Sequence, residues 1–332
     1  MHKLNTNTEL ALSNRCYVPQ NYVMIRTAFQ TMHPFGQIVF FFCMVLMGMG
    51  IASGAGLALL AAFQGHSTAE AIAFAGDPNS YEGMVYNLAI NALNQLISFG
   101  LMAWIASRIF AGRVFLQLKW PKRAWGWWAI GLAWAAQPVI DLTFRLNQWL
   151  LKFFPTAWIE AADRLEALAA EVTKSMLTFT EFWQFPSTLV IVAFLPALCE
   201  EFTFRGILQP LFAKWTNNIH AGIWASAFLF SAIHLQFHGF LPRMILGAGL
   251  GYLVVYSGSL WPAIIAHFFN NASAVLLAAI LGEEWINQEI NGVQPWEPMD
   301  YVLAAAAVAL GGLGVRWIRH HAAWPSSHPV SS

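Results

Sequence analysis

Residues 193–205 read AFLPALCEEFTFR, two adjacent carboxylates and an arginine set inside an apolar run. Read as a helix, Glu201 and Arg205 stand four residues apart on one face, acid on the N-terminal side, the favourable order for an ion pair. At about 100° per residue, Glu200 points roughly 140° away from Arg205. The arginine therefore neutralises Glu201 and leaves Glu200 to take up and release protons. An apolar helix that carries such a group is the housing of a site, and the remainder of the chain reads as more of that housing.

Of the 332 residues, 58% are hydrophobic and only 10% charged, with a mean hydropathy of +0.52. These values predict an all-α, polytopic integral membrane protein. The 16 Trp and 26 Phe suit interfacial anchors and lipid-facing positions. A net charge of +0 gives no attraction for nucleic acid. The expected partners are the lipid bilayer and a membrane-embedded or lipidated peptide or protein. Cys16, Cys43 and Cys199 are far apart in sequence and read as small hydrophobes rather than as a disulfide or ligand set. Residues 1–34 are polar and lack the apolar region of a cleavable signal, so the first span is expected to serve as the targeting signal.

At about 20 apolar residues per crossing, the spans fall at 35–63, 83–107, 125–145, 187–212, 219–237, 243–256, 259–281 and 300–315, about eight in all. The expected organisation is a cytoplasmic segment 1–34, a helical bundle 35–318 with its catalytic core at 187–281, and a short tail 319–332. Lys and Arg set the orientation. With the N-terminus inside, the outer segments hold only Lys152, Arg164, Lys174 and Arg243, while the inner ones hold Lys3, Arg15, Arg26, the cations of 108–123, Lys214, Arg316 and Arg319. Both termini are thus expected in the cytoplasm, and the pattern suits a bacterial cytoplasmic membrane. Residues 156–181 place Trp158, Leu165, Leu168 and Val172 near helical spacing among acids, an amphipathic helix on the outer surface. Gly50 with Gly54, and Gly247 with Gly251, are spaced for close helix packing. Asp141 and Arg145 read as a structural pair, and Asn87, Asn91, Asn94 and Gln95 as interhelical hydrogen-bonding groups or the lining of a wet cavity.

Polar residues recur on the later spans. Phe230 and His234 lie in FSAIH, and His267 and Asn271 in HFFNN, each pair one turn apart. An ionised side chain at a helix centre costs about 2.5–3.5 kcal/mol to insert, which marks such positions as functional. Together the groups suit hydrolysis. A carboxylate in a low-dielectric cavity accepts a proton more readily than one in water, and Glu200 fits a general base that passes this proton to a leaving amine. His234 is placed to bind the same water or to share a metal with Glu200. His267 and Asn271 offer donors to an oxyanion, with Glu201 and Arg205 in support. Pro196 is expected to open the helix before Glu200, and Pro262 to do the same before His267. On the expected boundaries His234 lies near the outer end of its span and His267 in the inner half of its own. A non-proteolytic scaffold or a transporter using the same buried cluster is the rival reading. The sequence contains neither HExxH nor GxSxG.

EEFTFR matches EExxxR, FSAIH matches FxxxH and HFFNN matches HxxxN, in that order on successive apolar segments. In these motifs the chain resembles the CPBP family of CAAX-protease and bacteriocin-processing membrane proteins, over about 187–281. The resemblance implies an eight-helix membrane fold and intramembrane cleavage of a membrane-associated or lipidated, CAAX-like substrate. It further implies that Glu200 and His234 activate water, that His267 and Asn271 form the oxyanion site, and that Glu201, Arg205 and Phe230 support them. Metal dependence stays open. If a zinc ion takes part, Glu200, His234 and His267 are its expected ligands; otherwise the chemistry runs on glutamate without a metal.

Overall fold

The computed structural model describes residues 27–110, 117–121, 124–291 and 297–321, and these are helical nearly throughout, with no strand. The expected segment 1–34 lies mostly outside the described residues, as do Cys16 and most of the tail 319–332. The helices are α1 (Pro34–Gln64), α2 (Thr68–Ala75), α3 (Tyr81–Phe110), α4 (Ala124–Ala135), α5 (Gln137–Leu151), α6 (Thr156–Leu177), α7 (Gln184–Thr216), α8 (Ile219–Ala232), α9 (Phe240–Ser257), α10 (Trp261–Asn291) and α11 (Pro298–His321). Five of them, α1, α3, α7, α9 and α10 as far as Asn287, are long and apolar enough to cross a membrane. The polytopic all-α fold is therefore present.

The expected span 125–145 is broken. α4 ends at Ala135 and α5 restarts at Gln137. Pro138 removes an N–H and crowds the preceding turn, which is the physical reason for the break. The direction of the chain still requires a return pass here. Met84 and Leu88 of α3 pack near Ile191 and Val192 of α7, Gln95 meets Glu200, and Thr203 bonds to Phe99. Low numbers meet low and high meet high, so α3 and α7 run parallel and something must carry the chain back between them. α4 and α5 do so in two pieces.

Close approach of backbones holds the bundle, because apolar burial gives helices little reason to associate inside lipid. Arg205 Nη2 donates to Gly247 O at 2.8 Å, and Gln209 Nε2 donates to Gly251 O at 3.2 Å, so α9 runs parallel to α7 one turn for one turn. A Cβ at Gly247 would lie 3.2 Å from Arg205 Nη2, and one at Gly251 only 2.6 Å from Gln209 Oε1. The expected packing role of this pair holds. That of Gly50 and Gly54 does not: both are exposed, and a Cβ on either meets nothing within 4 Å. The close contacts of α1 come from the opposite face, two residues away, from Gly48 against Ser98 of α3 and from Gly56 against Leu93.

The amphipathic segment forms α6, which packs through Ala162, Met176 and Leu177. Trp158 at 70% exposure and Leu168 at 63% face outward, the disposition of a helix lying against an apolar exterior. Asp141 and Arg145 pair at 3.1 Å.

The seam between α8 and α7 is closed against backbone, where a Cβ at Gly222 would lie 2.8 Å from both the backbone N of Ala213 and the carbonyl oxygen of Gln209. Gly222→Val is expected to destabilise the protein by roughly 1–3 kcal/mol, whereas Gly50→Ala and Gly54→Ala should cause no loss. Thermal unfolding in detergent checks this, and equal effects at all three positions would contradict the packing described.

Candidate active site

α7 is widened at Leu189–Phe194 and again at Phe204–Leu208, each time just before a proline, Pro196 and Pro210. A proline removes the N–H that would bond the carbonyl four residues earlier, and helices open at such points. For Pro196 that carbonyl belongs to Val192, and Asn271 Nδ2 of α10 approaches it at 3.4 Å. The expected opening at Pro196 is thus accompanied by a cross-helix contact. Pro262 behaves otherwise. It lies in the first turn of α10, where a missing N–H costs nothing.

The centre of the site is Glu201, wholly buried on α7. Its Oε1 accepts from Arg205 Nη1 at 2.7 Å and from His267 Nδ1 at 2.9 Å. Arg205, itself 2% exposed, lies over the ring of Phe230 at 4.6 Å and reaches α9 through Gly247 O. One ion pair therefore ties α7 to α9 and α10, with Phe230 of α8 as the fourth wall. A carboxylate oxygen only accepts, so His267 must present Nδ1–H to Glu201, and its Nε2 faces the other way. That nitrogen looks toward Glu200 Oε2 at 3.9 Å.

Glu200 is 5% exposed and avoids the arginine, as its helical angle predicts. Its Oε1 accepts from Gln95 Nε2 of α3 at 2.8 Å. The sequence pattern placed Gln95 among interhelical polar groups of the second span without linking it to the site. The related Asn94 donates to Ser53 of α1 at 3.1 Å, and Asn87 to backbone carbonyls at 2.8 and 3.2 Å.

His234 is not on the helix that the FxxxH spacing suggested. α8 ends at Ala232, because the chain turns there and Leu235 takes a φ of +54°, a conformation L residues avoid. The last carbonyls of a helix lack intrahelical donors, and His234 Nδ1 supplies one to Phe230 O at 2.7 Å. A carbonyl accepts only, so the proton is on Nδ1 and neutral His234 keeps an open lone pair on Nε2. The loop that follows is held from outside. Buried Asn147 of α5 donates to Phe237 O and His238 O at 2.8 and 2.9 Å, and His238 Nε2 meets Asp163 of α6 at 2.8 Å.

The structure brings Glu200, Glu201, Arg205, Phe230 and His267 together. Phe230 also joins the two histidines, its ring lying 5.2 Å from that of His234 and 5.8 Å from that of His267. The two histidines thus flank one ring, although His234 sits in the turn beyond α8 and His267 lies within α10. Asn271 follows His267 by one turn on α10 and touches α7 rather than the acids. Among the described residues no three His, Cys, Asp or Glu side chains converge as a metal-binding group, so the conditional zinc ligands Glu200, His234 and His267 are not assembled as a set. His234 Nδ1 and His267 Nδ1 are both engaged elsewhere.

Residues 182–273 match the model of the family described as type II CAAX prenyl endopeptidase Rce1-like. The match opens just before α7, closes within α10 and contains all three motifs; over this stretch the chain is similar to the CAAX-protease (CPBP) family. No curated protein and no solved structure matches the chain.

Removing one partner of a buried ion pair strands the other, at a cost of about 3–5 kcal/mol. Arg205→Met is expected to lose that much stability, measured by unfolding in detergent. Asp141→Asn, which breaks an exposed pair, should cost under about 1 kcal/mol. Equal, small losses would remove Arg205 from the centre of the bundle.

Proposed function

We propose that the protein is an intramembrane endopeptidase that hydrolyses a peptide bond of a membrane-associated or lipidated, CAAX-like protein or peptide, with Glu200 as general base. The observation that carries this reading is a carboxylate buried in an apolar bundle, held through one oxygen by Gln95 while the other faces a histidine at 3.9 Å. The family match supports CAAX-type membrane proteolysis in general, and the residues supply the finer assignment.

In this reading Glu200 removes a proton from water as the water oxygen attacks the carbonyl carbon of the scissile bond. His234 accepts the water's second hydrogen at Nε2 and so orients it. The negative charge that forms on the carbonyl oxygen is met by His267, with a proton on Nε2, and by the amide of Asn271. When the carbon–nitrogen bond breaks, the proton held by Glu200 passes to the leaving amine. Glu201 and Arg205 fix the ring of His267 and keep their own charges paired. Residues 187–281 form the catalytic core. The Lys and Arg bias supports an orientation with both termini in the cytoplasm of a bacterial-type inner membrane.

The test is cleavage of a lipidated peptide library by the purified protein in liposomes, with and without chelator. Glu200→Gln is expected to lower turnover by roughly 10²–10⁴-fold with an unchanged unfolding temperature. Cleavage that survives chelator fits the glutamate reading, whereas loss restored by zinc makes a metal part of the reaction. Full activity in Glu200→Gln would overturn the assignment. An inactive wild type would favour the scaffold or transporter reading.

A further inference from the structure

Gln95 is a polar side chain, 8% exposed, in the part of α3 where the backbone opens to wider turns, Asn94–Leu101. Single wide turns of this kind are frequent at functional positions. Its Nε2 donates to Glu200 Oε1 at 2.8 Å. Since a carboxylate only accepts, the amide can face Glu200 in one sense only. Gln95 Oε1 is then left buried with no donor among the described residues, and a buried acceptor without a partner costs free energy that a leucine or methionine in the same seam would avoid. Packing therefore does not account for glutamine here.

The seam itself aims the contact. A Cβ at Gly100 would lie 3.0 Å from Cys199 Sγ, so the glycine lets α3 approach α7 beside Glu200. Thr203 Oγ1 donates to Phe99 O at 2.9 Å and fixes the register one turn beyond. These contacts lock the amide nitrogen against one oxygen of the carboxylate. The other oxygen remains directed at His267.

We propose that Gln95 is a positioning residue for Glu200, a clamp across α3 and α7 that occupies one carboxylate oxygen and presents the other to the reacting water. The assignment rests on Glu200 acting as the base. It adds the second span, outside the segment that matches the family, to the machinery of the site.

The experiment combines a mutant cycle with kinetics. Gln95→Met, which keeps length and removes the donor, is compared with Glu200→Met and the double variant by thermal unfolding of the full chain in detergent. Gln95→Met is expected to lower the unfolding temperature when Glu200 is present and to have no such effect when residue 200 is methionine. With a cleavable lipidated peptide, Gln95→Met should lower kcat about tenfold, the low end for residues that orient reactive groups, and leave KM unchanged. Gln95→Asn, one methylene short, should fall between; it also serves if Gln95→Met fails to fold. Additive shifts in the cycle would overturn the clamp. Coupling in the cycle with unchanged kcat would make Gln95 a structural partner only, and overturn the positioning role. The cycle needs no substrate, so a wild type inactive on every peptide counts against the proposed function while the clamp is still decided.

Discussion

Glu201, Arg205 and His267 meet on a single carboxylate oxygen in a part of the bundle closed to solvent, and the other features of the site depend on that meeting. Charge in a low-dielectric interior is tolerated only when paired and hydrogen-bonded. The pairing therefore dictates which helices must be adjacent. Arg205 carries the constraint on to α9 through Gly247 O, His267 carries it to α10, and Phe230 closes the fourth side beneath the guanidinium. With Glu201 committed to this arrangement, its sequence neighbour Glu200 is turned toward α3 and toward Nε2 of His267.

Small residues make the meeting possible. A side chain as large as arginine is buried against α9 only because Gly247 offers a bare backbone, and α3 comes up beside Cys199 only because Gly100 does the same. The wide turns of α7 on either side of the acids follow from Pro196 and Pro210. Between those turns, Glu200 and Glu201 stand on a regular helical segment, Leu195–Thr203. This is why the angle between the two acids survives from sequence to structure.

The legible part of the molecule was the part governed by local periodicity. Apolar runs gave α1, α3, α7 and α9 within a few residues and the start of α10, which runs on past the expected end at 281, and the four-residue spacing gave the Glu201–Arg205 pair. Spacing failed where the helix stopped or bent. FxxxH looks helical, yet the chain leaves α8 at Ala232, so His234 bonds to Phe230 O from a turn that only Leu235's unusual φ reveals. The run 125–145 has the apolarity of a span and conceals the break before Pro138. Gly50 and Gly54 have the spacing of a packing pair, but spacing does not say which face of α1 is covered, and Gly48 and Gly56 turned out to be covered. Gln95 was visible as a polar residue in an apolar helix. Its partner lies 105 residues away, and only the parallel register of α3 and α7 joins the two.

The central claim is a division of labour between adjacent acids, one holding the bundle and the other serving as base. The most direct test measures unfolding temperature and peptide turnover on the same preparations of Glu200→Gln and Glu201→Gln. The account predicts that Glu200→Gln keeps its unfolding temperature and loses turnover, while Glu201→Gln unfolds at a clearly lower temperature because Arg205 is left uncompensated. If the two variants lose stability equally, or if Glu200→Gln retains wild-type turnover, the division does not exist and the account is wrong.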